Sequence, residues 1–436
     1  MQRTSRITYG QCLVLASPTP AYQSNVDNLS GLKRVQSADV QFAFQRKRFK
    51  QIGDAKFIGD VNLTNPDVNL SLNYFYSNGT NEVLLGLNVD GSSAGVLSGL
   101  RRPNVSNNFY LIFGSGINNE VLLETSDSNF ENNYNVMSFG NCFLNSYSMS
   151  AGVGNILSVN AELQADNVEL QPYDGGHAIP ALNPSTNKPD TTHEYRIKTG
   201  FFVNTTNQDG LIPSAFAPSG VKLTLPANNN VPGLELTGES RSAFINSFDL
   251  SFGIERTALY GFGSIYPYGR RAMLPILGQL QFSAIASEFQ SGDLNHLVRL
   301  DENTEVSQDF TIDLLHSGST GLQINIDNAK FDVQSLSQSI GDFGSIDCSL
   351  SFSISDTTGL RFSTPPLILE QPDSGPAMKV VATGMSPLTY QWYNASGPIA
   401  LASGPSYTAT TDGNYYCVIE NDLGSATTNP QNVDVP

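Results

Sequence analysis

Apolar and polar residues alternate one by one in many short segments of this chain. In the clearest segment they take turns along Asp67, Val68, Asn69, Leu70, Ser71, Leu72, Asn73 and Tyr74. A period of two is typical of a β-strand with one buried face, and Gly, Pro, Asn, Asp and Ser bound the segments as turn formers. The chain is therefore predicted to be mainly β. A helical period is favoured over one short segment, Asp293–Leu300.

One of these β-patterns occurs twice, 210 residues apart. Val35–Ser77 aligns with Ile245–Ser287 without a gap. The identical pairs include Ser37 with Ser247, Asp39 with Asp249, Phe42 with Phe252, Arg46 with Arg256 and Gly53 with Gly263. Because a duplicated module lets a ring form from half as many subunits as it has modules, the repeat predicts a role in assembly.

Stripes of small, uncharged polar residues mark one side of the predicted strands in both copies. They consist of Asn69, Ser71, Asn73, Ser146, Ser148 and Ser150 in the first copy and of Gln279, Gln281, Ser283, Ser335, Ser337 and Ser339 in the second. The alignment of the serine triplets matches Ser146 with Ser335. Such stripes fit either an ordinary solvent face or the wall of a channel, and the second interpretation makes all of them candidate lumen-facing residues.

The chain divides into three predicted domains. Residues 1–190 and 191–364 are the two copies of the β-module, each expected to contain one short helix, and residues 365–436 are a third domain. The Pro-, Asn- and Thr-rich stretch 180–192 marks the first boundary. Residues 88–135 have no clear counterpart in the second copy, so they are interpreted as an insertion.

The third domain carries the core pattern of an immunoglobulin-like sandwich. Trp392, the only Trp of the chain, stands on one predicted strand, and Tyr415 stands two residues before Cys417 on another. In that fold the Trp packs in the centre and the Tyr forms a tyrosine corner. Val380 occupies the approximate place of the usual first Cys, so apolar packing is expected to join the sheets without a disulfide.

The composition limits the possible partners. The chain of 436 residues has 23 Lys and Arg against 40 Asp and Glu, a formal net charge of −17. This balance disfavours binding to nucleic acid or anionic membranes. No apolar run is long enough to span a bilayer, and the first residues lack the long apolar core of a signal peptide, so secretion is not expected. The cysteines lie far apart and are predicted to be free, mostly buried thiols of a protein made in the cytoplasm: Cys12, Cys142, Cys348 and Cys417.

Motifs for catalysis, cofactors or metals are not found in the sequence. The histidines stand apart without metal-ligand spacing and are predicted to be surface or loop residues: His177, His193, His296 and His316. The segment Gly261-Phe262-Gly263 lacks the third glycine of a dinucleotide fingerprint and predicts a turn. We therefore expect no catalytic residue, no cofactor and no metal, and the chain is not expected to be an enzyme.

A basic cluster, Arg46–Lys50, stands out in this acidic chain. It fits either a nucleic-acid contact or an edge strand whose charges are solvated or pair with a neighbouring subunit. The arginine shared by both copies is Arg46, matched by Arg256, and a net acidic chain is repelled by phosphate. The second interpretation is favoured, with Arg46, Arg48 and Arg256 as candidate inter-subunit ion pairs.

Several segments together resemble a known family of structural proteins. They are Arg34–Phe42, the Arg46 and Gly53 that follow, Pro66–Leu70, the echo of these in the second copy, and the domain of Trp392, Tyr415 and Cys417. They resemble the major tail proteins, or tail tube proteins, of long-tailed bacteriophages (siphophages), in the variant with a duplicated module and a C-terminal immunoglobulin-like domain. The resemblance implies two tandem tail-tube-type β-sandwich or barrel modules followed by an immunoglobulin-like β-sandwich.

The resemblance also implies a function. Subunits of that family form rings, here homotrimers with pseudo-hexameric symmetry, which stack into a tube around a tape-measure protein. Further expected partners are the tail terminator and distal tail proteins, double-stranded DNA that passes during ejection without specific binding, and a cell-surface glycan that the immunoglobulin-like domain contacts weakly. The expected location is the virion tail, after assembly in the host cytoplasm. Uncharged stripes on an acidic chain suit such a lumen, because each bound phosphate would slow the passage of DNA.

Two other functions stay open. The main alternative is a β-sandwich adhesin or receptor-binding surface protein that recognises carbohydrate. Glycosylation triplets such as Asn62-Leu63-Thr64 suit it, whereas the expected lack of a signal peptide and of disulfides counts against it. The third is a carbohydrate-active enzyme with an accessory immunoglobulin-like domain, which needs a pair of carboxylates across a cleft.

Overall fold

The computed structural model describes residues 12–17, 30–92, 94–100, 106–114, 134–172, 177–189, 194–195, 221–225, 231, 234, 242–243, 245–286, 307–316, 319–338 and 344–435. Strands dominate these residues and pair in antiparallel fashion, so the predicted mainly β fold is confirmed. A helix of five residues, Thr80–Leu84, lies in the first copy. The candidate helix Asp293–Leu300 lies outside the described residues.

The first copy of the repeat contains strands and this short helix. Its elements are β1 (Cys12–Ala16), β2 (Ser30–Gly31), β3 (Val35–Ala43), β4 (Arg46–Phe49), β5 (Gly59–Asn62), β6 (Asp67–Phe75), α1 (Thr80–Leu84), β7 (Asn107–Gly114), β8 (Tyr134–Gly152), β9 (Ser158–Ala165) and β10 (Asn167–Pro172). Short strands follow it: β11 (His177–Ala178), β12 (Leu182–Asn183), β13 (Lys188–Pro189) and β14 (Glu194–Tyr195).

The second copy and the third domain complete the chain. The second copy contains β15 (Val221–Thr224), β16 (Ser242–Ala243), β17 (Ile245–Gly253), β18 (Arg256–Leu259), β19 (Gly269–Ala272), β20 (Ile276–Ile285), β21 (Gln308–His316), β22 (Ser319–Ser337), β23 (Ser345–Ile354) and β24 (Leu360–Ser363). The third domain contains β25 (Leu367–Glu370), β26 (Ala377–Lys379), β27 (Val381–Thr383), β28 (Thr389–Asn394), β29 (Gly397–Pro398), β30 (Ser406–Thr408), β31 (Gly413–Asn421), β32 (Gly424–Thr427) and β33 (Gln431–Val433).

The two copies have the same strand order, so the predicted repeat of β-structure is confirmed. Paired strands follow the order β2-β1-β7-β8-β9-β6-β3 in the first copy and β16-β15-β21-β22-β23-β20-β17 in the second. The copies meet where β8 pairs with β17, from Gly152 opposite Ser247 to Ser146 opposite Gly253. One continuous sheet therefore runs through both copies.

The structure corrects the alignment of the serine stripes by two residues. Strand pairing equates Ser148 with Ser335 and Ser150 with Ser337, whereas the sequence alignment matched Ser146 with Ser335. A strand presents the same face every two residues, so a slip of two keeps every serine on its side of the sheet. Alternation alone cannot detect such a slip.

Residues 88–135 are not an insertion as a whole, contrary to the prediction. Strand β7 lies inside this range, pairs with β1 and β8, and occupies the place that β21 takes between β15 and β22. The extra length of the first copy is divided between the β6–β7 and β7–β8 connections. Both connections differ in length between the copies, so the sequence distance from β7 to β21 is not the 210 residues that separate the strands matched in the gapless alignment. A gapless alignment therefore misses their equivalence.

Each copy has one long strand that turns a corner at an asparagine. Asn141 in β8 and Asn328 in β22 have left-handed φ angles of 52° and 57°, a region that Asn tolerates better than most residues. A side-chain oxygen accepts the main-chain N–H of each, Asn108 Oδ1 at 3.3 Å and Asp309 Oδ1 at 2.9 Å. Beyond the corner each strand leaves its β7 or β21 partner and pairs with β9 or β23.

One apolar core extends through both copies. Leu70 of β6 and Leu250 of β17 belong to the same cluster of buried residues. At the junction Tyr147 of β8 stacks on Phe252 of β17, with ring centroids 5.4 Å apart. The copies therefore share a sheet and a core, while the predicted boundary at residue 190 remains a prediction.

A buried carboxyl group lies in the core of the first copy. Helix α1 carries Glu82, whose Oε1 accepts hydrogen bonds from the hydroxyls of Tyr74 at 2.7 Å and Tyr147 at 3.1 Å. Burial raises the pKa of Glu82 from 4.5 to about 7, and the hydrogen bonds from the two tyrosines offset only part of this effect. Asn81 beside it anchors α1 to the start of β3 by bonding both main-chain groups of Lys33.

We expect Glu82 to lower the free energy of unfolding as the pH rises from 4.5 to about 7. Over that range the unfolded chain releases the carboxyl proton while the folded chain keeps it, so stability falls with pH. The shift corresponds to about 3 kcal/mol. Glu82→Gln keeps an acceptor for the tyrosines without the charge, so the variant should lose this decline. Chemical denaturation of both proteins at pH 5 and pH 8 measures the difference, and an equal decline in both would contradict it.

The third domain has its own sheets and its own core. Trp392 is fully buried and lies opposite Cys417 across β28 and β31. The hydroxyl of Tyr415 donates to the Thr411 carbonyl at 2.8 Å, which is the geometry of a tyrosine corner. Val380 is buried in the same cluster, and Cys417 is a free thiol. Apolar packing therefore joins these sheets.

Two polar side chains connect the third domain to the repeat. The Asp90 carboxylate accepts hydrogen bonds from the Ser386 N–H at 2.9 Å and from its hydroxyl at 2.7 Å. Asn421 Nδ2 donates to the carbonyls of Thr364 and Met385, both at 3.0 Å. The Asp90 bonds hold the third domain against the first copy, and the Asn421 bond to Thr364 holds it against the end of the second.

Candidate assembly surface

The polar side chains of neighbouring strands from both copies form one continuous surface, called here the polar face. It spans β3, β6, β9, β8, β17, β20, β23 and β22 in that order. One cross-strand row on it runs through Ser37, Asn73, Asn160, Ser148, Ser251, Gln279 and Ser351. The candidate lumen-facing residues all lie on this face, apart from Ser339, which lies outside the described residues. The structure thus brings the separate stripes together on one side of one sheet.

Hydrogen bonds between neighbouring strands fix the side chains of the polar face. Asn73 Nδ2 donates to Asn160 Oδ1 at 2.7 Å in the first copy. The hydroxyls of Ser247 and Ser283 are 2.8 Å apart in the second copy. Short side chains that already have partners make a smooth, hydrated surface, because few of their groups are left to hold a ligand.

The polar face is acidic. Its carboxylates include those of Asp39, Asp67, Glu162, Asp249, Asp332 and Asp347, and Lys330 is a cation on it, among the residues that the structure describes. Burial raises the pKa of Asp249. A concavity of about 1120 Å³ lies on this face around Ser150, Asp249 and Gln281. A concave surface with this charge balance repels phosphate groups.

The part of the sheet that carries the polar face ends at two strands that have a neighbour on one side only, as far as the structure describes the chain. These are β3, which pairs with β6, and the second half of β22, which pairs with β23. Phe42 on β3 is 39% exposed and Leu336 on β22 is 53% exposed, whereas their equivalents at the internal junction, Phe252 and Met149, are 4% and 0% exposed. Open edges with uncovered apolar side chains are surfaces on which another strand can pair.

The internal junction supplies a register for pairing at these edges. Strand β22 repeats β8 and strand β3 repeats β17, so the pairing of β8 with β17 can be transferred to the two open edges. If two chains paired at these edges, the equivalent of the contact between Met149 and Leu250 would join two different chains. The pairs expected there are Leu336 with Val40, Ser337 with Asp39, and Ser335 with Gln41.

Arg256 is engaged inside its own chain, and its expected ion pair with another subunit stays a prediction. Its guanidinium donates to the carbonyls of Leu144 at 3.4 Å and Leu100 at 2.6 Å, and lies 5.4 Å from the centroid of the Phe143 ring. Burial, together with the charge of Arg270, lowers its pKa to about 10. The residue fastens β18 to the first copy, an environment that its equivalent, Arg46, does not share.

Arg46 and Arg48 lie on the exposed β4–β5 hairpin. The Arg46 guanidinium is 5.3 Å from the centroid of the Phe44 ring, and the Arg48 guanidinium is 5.3 Å from that of Phe57. Their expected ion pairs with another subunit remain predictions. Arg46 and Arg256 share a position in the repeat, but Arg256 packs against the first copy whereas Arg46 is exposed. The sequence alone does not reveal this difference.

A buried ion pair joins the β18–β19 hairpin to the first copy. Arg270 Nη2 lies 2.7 Å from Asp166 Oδ1, and the two side chains are 3% and 4% exposed. Burial raises the pKa of Asp166 to about 6 although the Arg270 charge opposes it. Sequence reasoning missed this pair, because no periodic pattern links residues so far apart in the chain.

The remaining chemistry-bearing residues are not grouped into a site. His177 and His316 lie in strands rather than in loops, and His193 and His296 lie outside the described residues. Buried free thiols are found at Cys142, Cys348 and Cys417. In the ranges that the structure describes, no three His, Cys, Asp or Glu side chains are placed to hold a metal ion. No helix in those ranges is long and apolar enough to cross a membrane.

Comparison with known proteins gives weak structural similarities. No protein-family model matches the chain, and no curated protein matches it in sequence. The SPP1 tail tube is similar over 38% of this chain and 80% of its own, at 11% identity and a TM-score of 0.27. A native gene transfer agent virion chain is similar over 34% and 97%, at 10% identity and a TM-score of 0.21. The tandem Ig repeats of Dlar are similar over 29% and 88%, at 13% identity and a TM-score of 0.15. These values assign no family, so the function is argued from the geometry.

Proposed function

We propose that this chain is a structural virion subunit that closes into rings through the two open edges of its sheet, and that the rings stack into a tail tube. The supporting observation is the contrast between the middle of the sheet and its ends. The β8–β17 junction buries apolar residues that the repeated strands β22 and β3 leave exposed. A second copy of the chain carries the strand that fits each edge, so head-to-tail pairing of copies covers both edges.

Three copies per ring is the number implied by the resemblance to duplicated tail tube proteins. Each chain would contribute the eight strands from β3 to β22 that carry the polar face. With strands about 4.8 Å apart and tilted by about 40°, three such chains close a barrel about 48 Å across between backbones. Closure covers the open edges at β3 and β22 and leaves a bore that a DNA duplex can enter.

The polar face is proposed to line this bore. Its carboxylates and short uncharged side chains offer phosphate little to bind, because binding to DNA grows with each phosphate that Lys or Arg neutralises. Double-stranded DNA would pass during ejection without being held. In this proposal the chain has no catalytic role and needs no cofactor.

The other expected partners follow from the same proposal. A stacked tube would surround a tape-measure protein and meet tail terminator and distal tail proteins at its ends. The immunoglobulin-like domain would lie outside the bore and contact cell-surface glycans weakly. The location would be the virion tail, after assembly in the host cytoplasm.

Electron microscopy of the purified full-length chain, with native mass spectrometry, tests this function. We expect closed rings of three chains and tubes of stacked rings. Single chains at all concentrations would contradict the proposal and favour the carbohydrate-recognising adhesin. Hydrolysis of a glycan by the same sample would contradict it in favour of an enzyme.

A further inference from the structure

Within the residues that the structure describes, the β4–β5 hairpin projects from the first copy without a cover. Every residue from Gln41 to Leu63 is exposed. The large apolar side chains among them are Phe42, Phe44, Phe49, Ile52, Phe57, Ile58, Val61 and Leu63. So many apolar side chains on one short exposed segment mark a surface that another molecule covers.

The repeated hairpin of the second copy shows where such a hairpin docks. The β18–β19 hairpin lies on the first copy, where the Asn65 N–H donates to the Ile265 carbonyl at 3.1 Å. The Tyr260 hydroxyl donates to Asn65 Oδ1 at 3.3 Å. The buried ion pair of Arg270 with Asp166 secures the same contact. One hairpin of the chain therefore already docks on the module that precedes it, through polar groups.

The equivalent receiving segment of the second copy is apolar and largely exposed. In the repeat, Leu63–Asp67 corresponds to Met273–Leu277, so Pro275 stands where Asn65 receives the internal hairpin. Met273, Leu274 and Leu277 are 51%, 61% and 57% exposed. The projecting hairpin and this segment both expose apolar side chains, whereas the docked hairpin contacts its receiver through polar groups. Each hairpin therefore suits its own receiving segment, by exposed apolar side chains in one case and by polar groups in the other.

Charge favours the same partner. The hairpin carries Arg46, Lys47, Arg48, Lys50 and Lys56 against Asp54 and Asp60, in a chain whose net charge is −17. A basic hairpin on an acidic chain is attracted to other copies of that chain, which speeds and orients their encounter.

We propose that the β4–β5 hairpin of one copy docks on the Met273–Leu277 segment of the next copy in the ring. The inference rests on the proposed function, because pairing of β3 with β22 of another copy brings the hairpin to this segment. It would occupy the place on the second copy that the β18–β19 hairpin occupies on the first. The docked hairpin covers apolar side chains that pairing of the strand edges alone leaves in water.

Cysteine pairs placed by the repeat test this contact. Ala55 corresponds to Ile265 and Leu274 to Thr64, so Ala55→Cys with Leu274→Cys should give disulfide-linked chains after mild oxidation of assembled protein. The matched control, Ile265→Cys with Thr64→Cys, should link within one chain and leave its mass unchanged. Rings of the first variant that assemble normally but form no cross-links between neighbouring chains would overturn the docking and leave the ring proposal standing.

A hairpin variant separates docking from folding. Phe57→Ser with Ile58→Ser should raise the protein concentration needed for ring assembly about tenfold, because the apolar area buried on docking is lost. Leu170→Ser, at an exposed apolar residue of β10, is the control and should assemble as the parent does. Both variants should keep the parent's unfolding midpoint. Unchanged assembly of the hairpin variant would overturn the docking. Loss of binding to anionic vesicles or DNA, in place of a change in assembly, would also overturn it. A parent chain that forms no ring would instead overturn the proposed function.

Discussion

Leu336→Asp is expected to abolish ring assembly while the single chain stays folded. Leu336 is 53% exposed in the single chain, so an aspartate there remains hydrated. In a ring it would take the position of Met149, which is fully buried beneath the neighbouring strand at the internal junction. Burying an unpaired carboxylate costs enough to raise the concentration required for assembly at least about a hundredfold. Sedimentation velocity over a concentration series measures this shift.

The control for this variant places the same charge away from the proposed contact. Leu170 is 66% exposed and lies on β10, outside the two open edges. Leu170→Asp should therefore assemble at the parent's concentration, and circular dichroism should show all three proteins folded. Assembly of Leu336→Asp at the parent's concentration would show that β22 is not a ring contact.

Asp166→Ala is expected to destabilise the chain by about 3–5 kcal/mol, because it leaves the buried charge of Arg270 without its partner. The Arg270 side chain is only 3% exposed, so water cannot replace the carboxylate. The same change should detach the β18–β19 hairpin from the first copy. Chemical denaturation at pH 7.5 measures the loss.

Two further variants show whether burial is the cause. The Arg361–Asp327 pair has the same 2.7 Å distance but its side chains are 29% and 21% exposed, so Asp327→Ala should cost about 1 kcal/mol or less. The double change Asp166→Leu with Arg270→Met removes both charges and should recover much of the stability. An equal loss from Asp166→Ala and Asp327→Ala would contradict the role given to burial.

The parts of the fold that follow a local period were predictable from the sequence. Strand β6 is visible in the alternation from Asp67 to Tyr74, and its repetition in β20 is visible because the register holds without a gap. The immunoglobulin-like core is visible because Trp392 and Tyr415 are uncommon residues at positions that this fold requires. In each case the signal lies within a few residues of the structure that it specifies.

The parts that depend on contacts between distant residues were not predictable. The two-residue slip of the serine stripes leaves every side chain on the same face, so no pattern distinguishes the two registers. Arg46 and Arg256 share a position in the repeat, yet Arg256 bonds to main-chain carbonyls of the first copy while Arg46 lies on an exposed hairpin. The equivalence of β7 and β21 was hidden by connections of different length, since alternation carries no record of loop length.

The sequence predicted which residues of the polar face are polar, but not how many strands join to form that face. Alternation showed which residues of each strand are polar, whereas the order in which strands join a sheet is set by pairing of distant segments. The pairing of β8 with β17 is what merges two sets of stripes into one face. The exposed apolar residues at β3 and β22 become meaningful only beside their buried equivalents at that junction.

A cross-link in the predicted register tests ring closure most directly. Asp39→Cys with Ser337→Cys places two thiols opposite each other in different chains, as Asp249 and Ser150 are opposite each other within one chain. Oxidation of assembled protein should give covalent closed rings of three chains, while Asp39→Cys with Ser335→Cys, two residues out of register, should cross-link poorly. Assembled protein that gives no cross-linked rings from the first pair, or gives them equally from the second, would contradict closure through these edges.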